Sequence, residues 1–154
     1  MSLYRTAIAA AKARVADFPN EKRLHTHLAG MLLFNPFPEL RDPPRALQAA
    51  RREIELVGDQ GDWAELAFAQ FRSGQPEEAL QSILKAQGNS EPPPAFEVFE
   101  AMIQLDLKQV DKARQKFQHA VDLLDKTSNK IWYTFQCRFV RTEFEARLKA
   151  SSPP

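Results

Sequence analysis

The stretch "DWAELAFAQFRSGQPEEALQSILKA", residues 62–86, decides how the rest of the chain is read. It contains no histidine, no cysteine and no glycine-rich loop. Its informative residues are Ala67, Ala79 and Ala86, small side chains set among apolar residues that recur at helical spacing. Gly74 closes one predicted helix and Pro76 opens the next, so the two helices run antiparallel as neighbours. The same spacing returns 34 residues later, where Ala101, Ala113, Phe117 and Ala120 follow the pattern of Ala67, Ala79, Ile83 and Ala86. The connection returns too, with "SGQPEEAL" aligning on "LKQVDKAR". Methyl-sized residues at a helix crossing let two backbones approach, while Leu66, Ile83 and Phe117 fill the space around them.

Working outward, the periodicity is helical throughout. β-branched residues are scarce, and Pro and Gly fall between the periodic segments. The expected fold is all-α, with helices over 3–17, 21–34, 43–57, 62–73, 76–87, 94–107, 110–126 and 129–149. Asp42 is placed to cap a helix entered through Pro43, and Asp62 with Glu65 has capping-box spacing. The last helix, within "KIWYTFQCRFVRTEFEARL", carries two apolar stripes. Ile131, Phe135 and Phe139 form one, with Trp132 close to it; Tyr133, Cys137, Val140, Phe144 and Leu148 form the other. That is broader than one docking face requires. Two readings follow: both stripes form one wide cap that covers the last repeat completely, or one stripe caps the array and Trp132, Tyr133, Val140 and Phe144 form a second surface for a partner or another copy of the chain.

The chain has 154 residues, enough for one domain with its own core, and its single cysteine excludes an internal disulfide. No apolar run reaches the roughly 18 residues of a membrane span, and the first residues lack a signal-peptide core, which points to a cytoplasmic protein. The net charge of +1 conceals segregation: residues 1–52 carry +5, residues 53–107 carry −9 and residues 108–154 carry +5. Blocks of alternating sign suit steering of a partner or head-to-tail contact between copies. The basic ends suit a weak peripheral contact with anionic lipid, whereas the acidic middle interrupts any continuous nucleic-acid track. His25 and His27 point to different sides of a helix and His119 is solitary, so no metal site is expected. Cys137 lies on an apolar stripe without a base beside it, and no phosphate-binding or dinucleotide fingerprint occurs. No enzymatic activity and no cofactor are expected.

The 34-residue period, with two helices per unit, resembles the tetratricopeptide (TPR) repeat. Its pattern is met by Trp63, Leu66, Ala67, Ala79 and Ile83, and departs at Gln70, where an aromatic is expected. In the next unit Glu97 and Glu100 stand in the Trp and Leu slots and Lys108 replaces the loop glycine, so packing there is expected through Phe96, Phe99 and Ile103. Upstream, "LHTHLAGMLLFNP" and "RDPPRALQAARREIEL" look like a further repeat with about five extra residues in "NPFPEL". Together with "VADFPNE", this is similar to TPR arrays of planctomycete and verrucomicrobial type. The resemblance implies one TPR-like solenoid over residues 1–154, with about three hairpins, an extra opening helix and a terminal capping helix.

It also implies a concave groove on the first helix of each repeat. The groove positions are Thr26, Gly30, Leu33 and Phe34; Ala64, Phe68, Phe71 and Arg72; and Val98, Met102, Leu105 and Asp106. Such a groove suits an amphipathic helix or an apolar peptide, not an acidic chaperone tail, because Ala64 and Phe68 stand where its clamp would be. The implied role is a non-enzymatic adaptor. A short TPR protein of this kind resembles the bacterial kinesin light chains, which implies binding to and stabilising bacterial tubulin filaments. Two other readings stay open: the C-terminal TPR segment of a larger serine/threonine kinase-type protein, and a self-assembling structural protein.

Overall fold

A computed structural model describes residues 1–88, 94–126 and 142–150. These residues form eight α-helices and two short 3-10 turns, and no strand occurs among them. The helices are α1 (Ser2–Asp17), α2 (Lys22–Leu33), α3 (Pro43–Val57), α4 (Trp63–Arg72), α5 (Pro76–Gln87), α6 (Pro94–Asp106), α7 (Val110–Lys126) and α8 (142–150). The ends of α1 to α7 fall within one residue of those expected from periodicity. Of the helix expected over 129–149, residues 129–141 lie outside the described residues. Among the described residues, no helix is long and apolar enough to cross a membrane. The 3-10 turns, Pro38–Leu40 and Gly58–Gln60, were not anticipated.

The chain divides into two compact units, Met1–Ser82 and Ile83–Pro154. In the first unit α2 packs on α3, α3 on α4, and α2 also on α4, while α1 packs on α2. Leu28, Ala29, Leu32, Leu33, Ala46, Leu47, Ala50, Leu66 and Ala67 are buried there. In the second unit α6 packs on α7, burying Val98, Phe99, Ala101, Met102 and Ile103 with Ala113 and Ala120. The Phe144 ring of α8 stacks on Phe117 of α7, with centroids 4.3 Å apart and planes 17° from parallel.

The 34-residue offset is visible in the backbone. The Gln75 N–H donates to the Gln70 carbonyl at 2.9 Å, and the Gln109 N–H donates to the Gln104 carbonyl at 2.8 Å. Gly74 N–H reaches Phe71 O and Lys108 N–H reaches Leu105 O; Ala79 N–H reaches Gln75 O and Ala113 N–H reaches Gln109 O. Gly74 sits at φ 76° and Lys108 at φ 62°. This is the left-handed helix ending that satisfies the last carbonyls of a helix, made twice by equivalent residues. Between α2 and α3 the Asp42 N–H reaches back to Leu32 O, ten residues instead of five, so this hairpin contains five more. Buried Asn35 organises the excess: its Oδ1 accepts from Phe37 N–H, and its carbonyl accepts from Arg41 Nε at 2.8 Å.

The small residues follow the same register. Ala29, Ala67 and Ala101 on the first helices, and Ala46, Ala79 and Ala113 on the second, are all 0% exposed. The third small position varies: Ala120 is buried, Ala86 is half-buried, and buried Glu53 occupies the matching place on α3.

Two substitutions test this register. Ala113→Leu enlarges a fully buried side chain and is expected to lower stability by roughly 1–3 kcal/mol. Lys108→Gly removes a side chain from a left-handed residue and is expected to raise stability by up to about 1 kcal/mol. Thermal denaturation followed by circular dichroism reads both; a neutral Ala113→Leu or a destabilising Lys108→Gly contradicts the register.

Candidate partner-binding surfaces

The groove positions of the first unit fall on α2 and α4, two helices in mutual contact. Phe34 and Phe68 are brought together, with ring centroids 4.7 Å apart. The Arg72 guanidinium carbon stands 5.1 Å from the Phe68 centroid and 5.8 Å from that of Phe71, cation–π contacts that hold the charge over the rings. Phe68, Phe71 and Leu33 are buried, Thr26, Ala64 and Arg72 are half-buried, and Phe34 is 42% exposed. Thr26 bonds back to the Lys22 carbonyl of its own helix. Phe34 is therefore the large apolar side chain this set offers to solvent.

The positions of the second unit are more deeply enclosed. Val98, Met102 and Leu105 are buried, and exposed Asp106 pairs with Arg147 of α8 at 2.8 Å. Arg147 also pairs with Glu143, one turn earlier on its own helix. Phe144, placed by the sequence either in a covering cap or on a second surface, is completely buried and stacks on Phe117. Trp132, Tyr133 and Val140, assigned to the same surface, lie outside the described residues.

Sequence reasoning missed a buried ionic network on the α6–α7 hairpin. Glu97 and Glu100 do not turn outward: both are buried, alongside the expected Phe99 and Ile103, while Phe96 is half-buried. His119 Nδ1 lies 2.7 Å from Glu97 Oε2 and so donates to the carboxylate. Lys116 Nζ lies 3.1 Å from Glu100 Oε2, and Gln87 and Gln104 donate to the two Glu100 oxygens at 3.0 Å. Each buried carboxylate is thus neutralised or hydrogen-bonded, the condition for tolerating it inside. Beside the network is a hollow of about 390 Å³ lined by Glu97, Gln104, Lys112, Gln115, Lys116 and His119. A carboxylate-oriented imidazole is half of a general-base arrangement, and the described residues of this lining include no serine, threonine or cysteine for it to activate. The signal was present in the sequence as Glu97/Glu100 and Lys116/His119, two pairs at matching three-residue spacing.

His25 is also internal: its Nε2 bonds the Pro19 carbonyl at 2.8 Å and its Nδ1 is buried without a partner. Among the described residues no group of three metal-ligating side chains occurs.

A third cluster lies where α3 meets α4. The expected capping box forms by half. Asp62 Oδ1 accepts from Glu65 N–H at 2.9 Å, but the Asp62 N–H donates to Glu53 Oε2 at 3.0 Å. Glu65 thereby loses the partner a capping box would give it, and its Oε1 is buried without a hydrogen bond. Burial, followed by the charges of Asp62 and Glu53, pushes its carboxyl up to about 8. Because the folded value is raised above the unfolded one, the folded state keeps a proton that the unfolded chain releases. Stability is therefore full below the ordinary carboxylate range, falls as pH rises towards 8, and levels off above it. The slope is at most about 1.4 kcal/mol per pH unit. Glu65→Gln is expected to flatten this decline and to raise the melting temperature at pH 8. Melting temperatures measured from pH 5 to 9 check it, and parallel profiles for the two proteins refute it.

Compared with known protein families the chain matches none, and no characterised protein matches it in sequence.

Proposed function

We propose that this chain is a non-enzymatic adaptor of TPR type that docks another protein on the face formed by α2 and α4. The observation that carries this reading is the recurrence of one helix-ending hydrogen-bond set at a 34-residue offset, with fully buried alanines in register. Repeated helical hairpins of this period stack into arrays whose first helices form a shared docking surface. The contact between α2 and α4, the first helices of two successive hairpins, fits such stacking. Phe34, exposed at the edge of the Phe68–Arg72 cluster, is the natural anchor, since partly exposed aromatics beside an arginine dominate many interfaces.

The specific partner we propose is a bacterial tubulin filament. A chain with +5, −9 and +5 blocks has complementary charge along its length, which suits a subunit repeating along a polymer. Co-sedimentation with assembled bacterial tubulin tests the pairing. The full chain is expected to pellet saturably with the filaments, and Phe34→Glu to weaken binding at least tenfold with an unchanged melting temperature. A chain that stays in the supernatant at every tubulin concentration overturns the partner. Unaltered binding by Phe34→Glu overturns the face.

A further inference from the structure

Glu65 sits at the first turn of α4, and the side of α2 that it meets is Gly30. A Cβ on Gly30 would stand 3.2 Å from Glu65 Oε1, closer than ordinary van der Waals contact, so the missing side chain makes the seat for this oxygen. Oε1 is sealed from water there and accepts no hydrogen bond. We propose that the Glu65 carboxyl is a pH-operated latch between α2 and α4, seated on Gly30 when protonated and withdrawn from it when ionised. This rests on local geometry and holds whether or not the α2–α4 face docks a protein.

The surroundings favour one charge state in the seat. From α3 the nearby charge is Glu53, and from the N-cap of α4 it is Asp62, both carboxylates. From α2 the seat itself is Gly30; Lys22, Arg23 and His27 are exposed, and the His25 ring is turned to the Pro19 carbonyl. Among the described residues, no lysine, arginine or histidine comes within ion-pair distance of Glu53, Asp62 or Glu65. An ionised Glu65 would hold a bare oxygen in a dry contact while facing two like charges. Both effects drive it outward to water. A protonated carboxyl carries neither cost. The contact between α2 and α4 is then sensitive to proton concentration, and at the end of α2 the Phe34 ring packs on Phe68 of α4.

The test is nuclear magnetic resonance of the full chain from pH 5 to 10, with glutamate side-chain carboxyls and glycine amides labelled. Glu65 is expected to titrate with a midpoint near 8 and the Gly30 amide to shift with the same midpoint. In Glu65→Gln the Gly30 amide should not move between pH 7 and 9. Gly30→Ala, a change that favours helix, occupies the seat and is expected to lower the Glu65 midpoint by at least one pH unit. Titration of Glu65 in the ordinary carboxylate range overturns the latch. So does a Gly30 amide that ignores the titration, or an unchanged midpoint in Gly30→Ala.

Discussion

A helix that turns back within three residues must find donors for its last carbonyls before the next helix begins, and this constraint organises the chain. The N–H groups of Gln75 and Gln109 supply them by reaching back to Gln70 and Gln104, through a left-handed residue at Gly74 or Lys108. The closure fixes where the next helix starts. Ala79 and Ala113 each donate to the residue that made the closure, and each is fully buried one turn into its helix. Turn geometry and core packing are thus a single requirement: a different closure would rotate α5 or α7 and bring larger side chains to the methyl-sized sites. The α2–α3 hairpin obeys it with a longer loop, in which the Asn35 side chain accepts from the Phe37 N–H and the Asn35 carbonyl accepts from the Arg41 side chain.

The interior is more polar than the alanine register suggests. Gln70 and Gln104 stand at equivalent positions, both buried, and each leaves its Oε1 without a partner. Leu32, which makes the same closure in the α2–α3 hairpin, is apolar and buried. An orphaned buried acceptor costs about 1–3 kcal/mol, so these glutamines are a recurring local cost at equivalent positions. In the second unit part of that cost is offset, since the Gln104 amide donates to Glu100. Glu100 in turn ties together α6, α7 and the end of α5 through Gln104, Lys116 and Gln87.

The helices were legible in the sequence because their signals are local. Apolar spacing, Asp42 and Asp62 as caps, and Gly74 followed by Pro76 act within a few residues of one another, and the observed ends follow them. The candidate surface was legible only in outline. Periodicity places Phe68, Val98, Met102 and Leu105 on one side of their helices, but it cannot say that this side is covered, and all four are buried. Phe144 is ambiguous in sequence for the same reason, since an amphipathic stripe looks alike whether it meets solvent or Phe117. The capping box failed through competition across the fold. Glu65 has the right spacing from Asp62, yet Glu53, nine residues earlier, takes the N–H that Glu65 needed. His119 looked solitary because its partner, Glu97, is on another helix.

These cases separate two ways of burying a carboxylate. Glu97 and Glu100 enter the interior with donors already facing them from α7, so their charge is held in place and fixes which turn of α6 meets which turn of α7. Such pairing contributes more to register than to net stability, because desolvation consumes much of the attraction. Glu65 enters without a donor, beside two further carboxylates and a glycine backbone. With no cation among the described residues to hold its charge, the inexpensive response is to keep a proton, and the cost of burial becomes a dependence on pH. The two acidic pairs share a spacing in the sequence, Asp62 with Glu65 and Glu97 with Glu100. What separates their behaviour is the facing helix, which offers lysine and histidine to one and only Gly30 to the other.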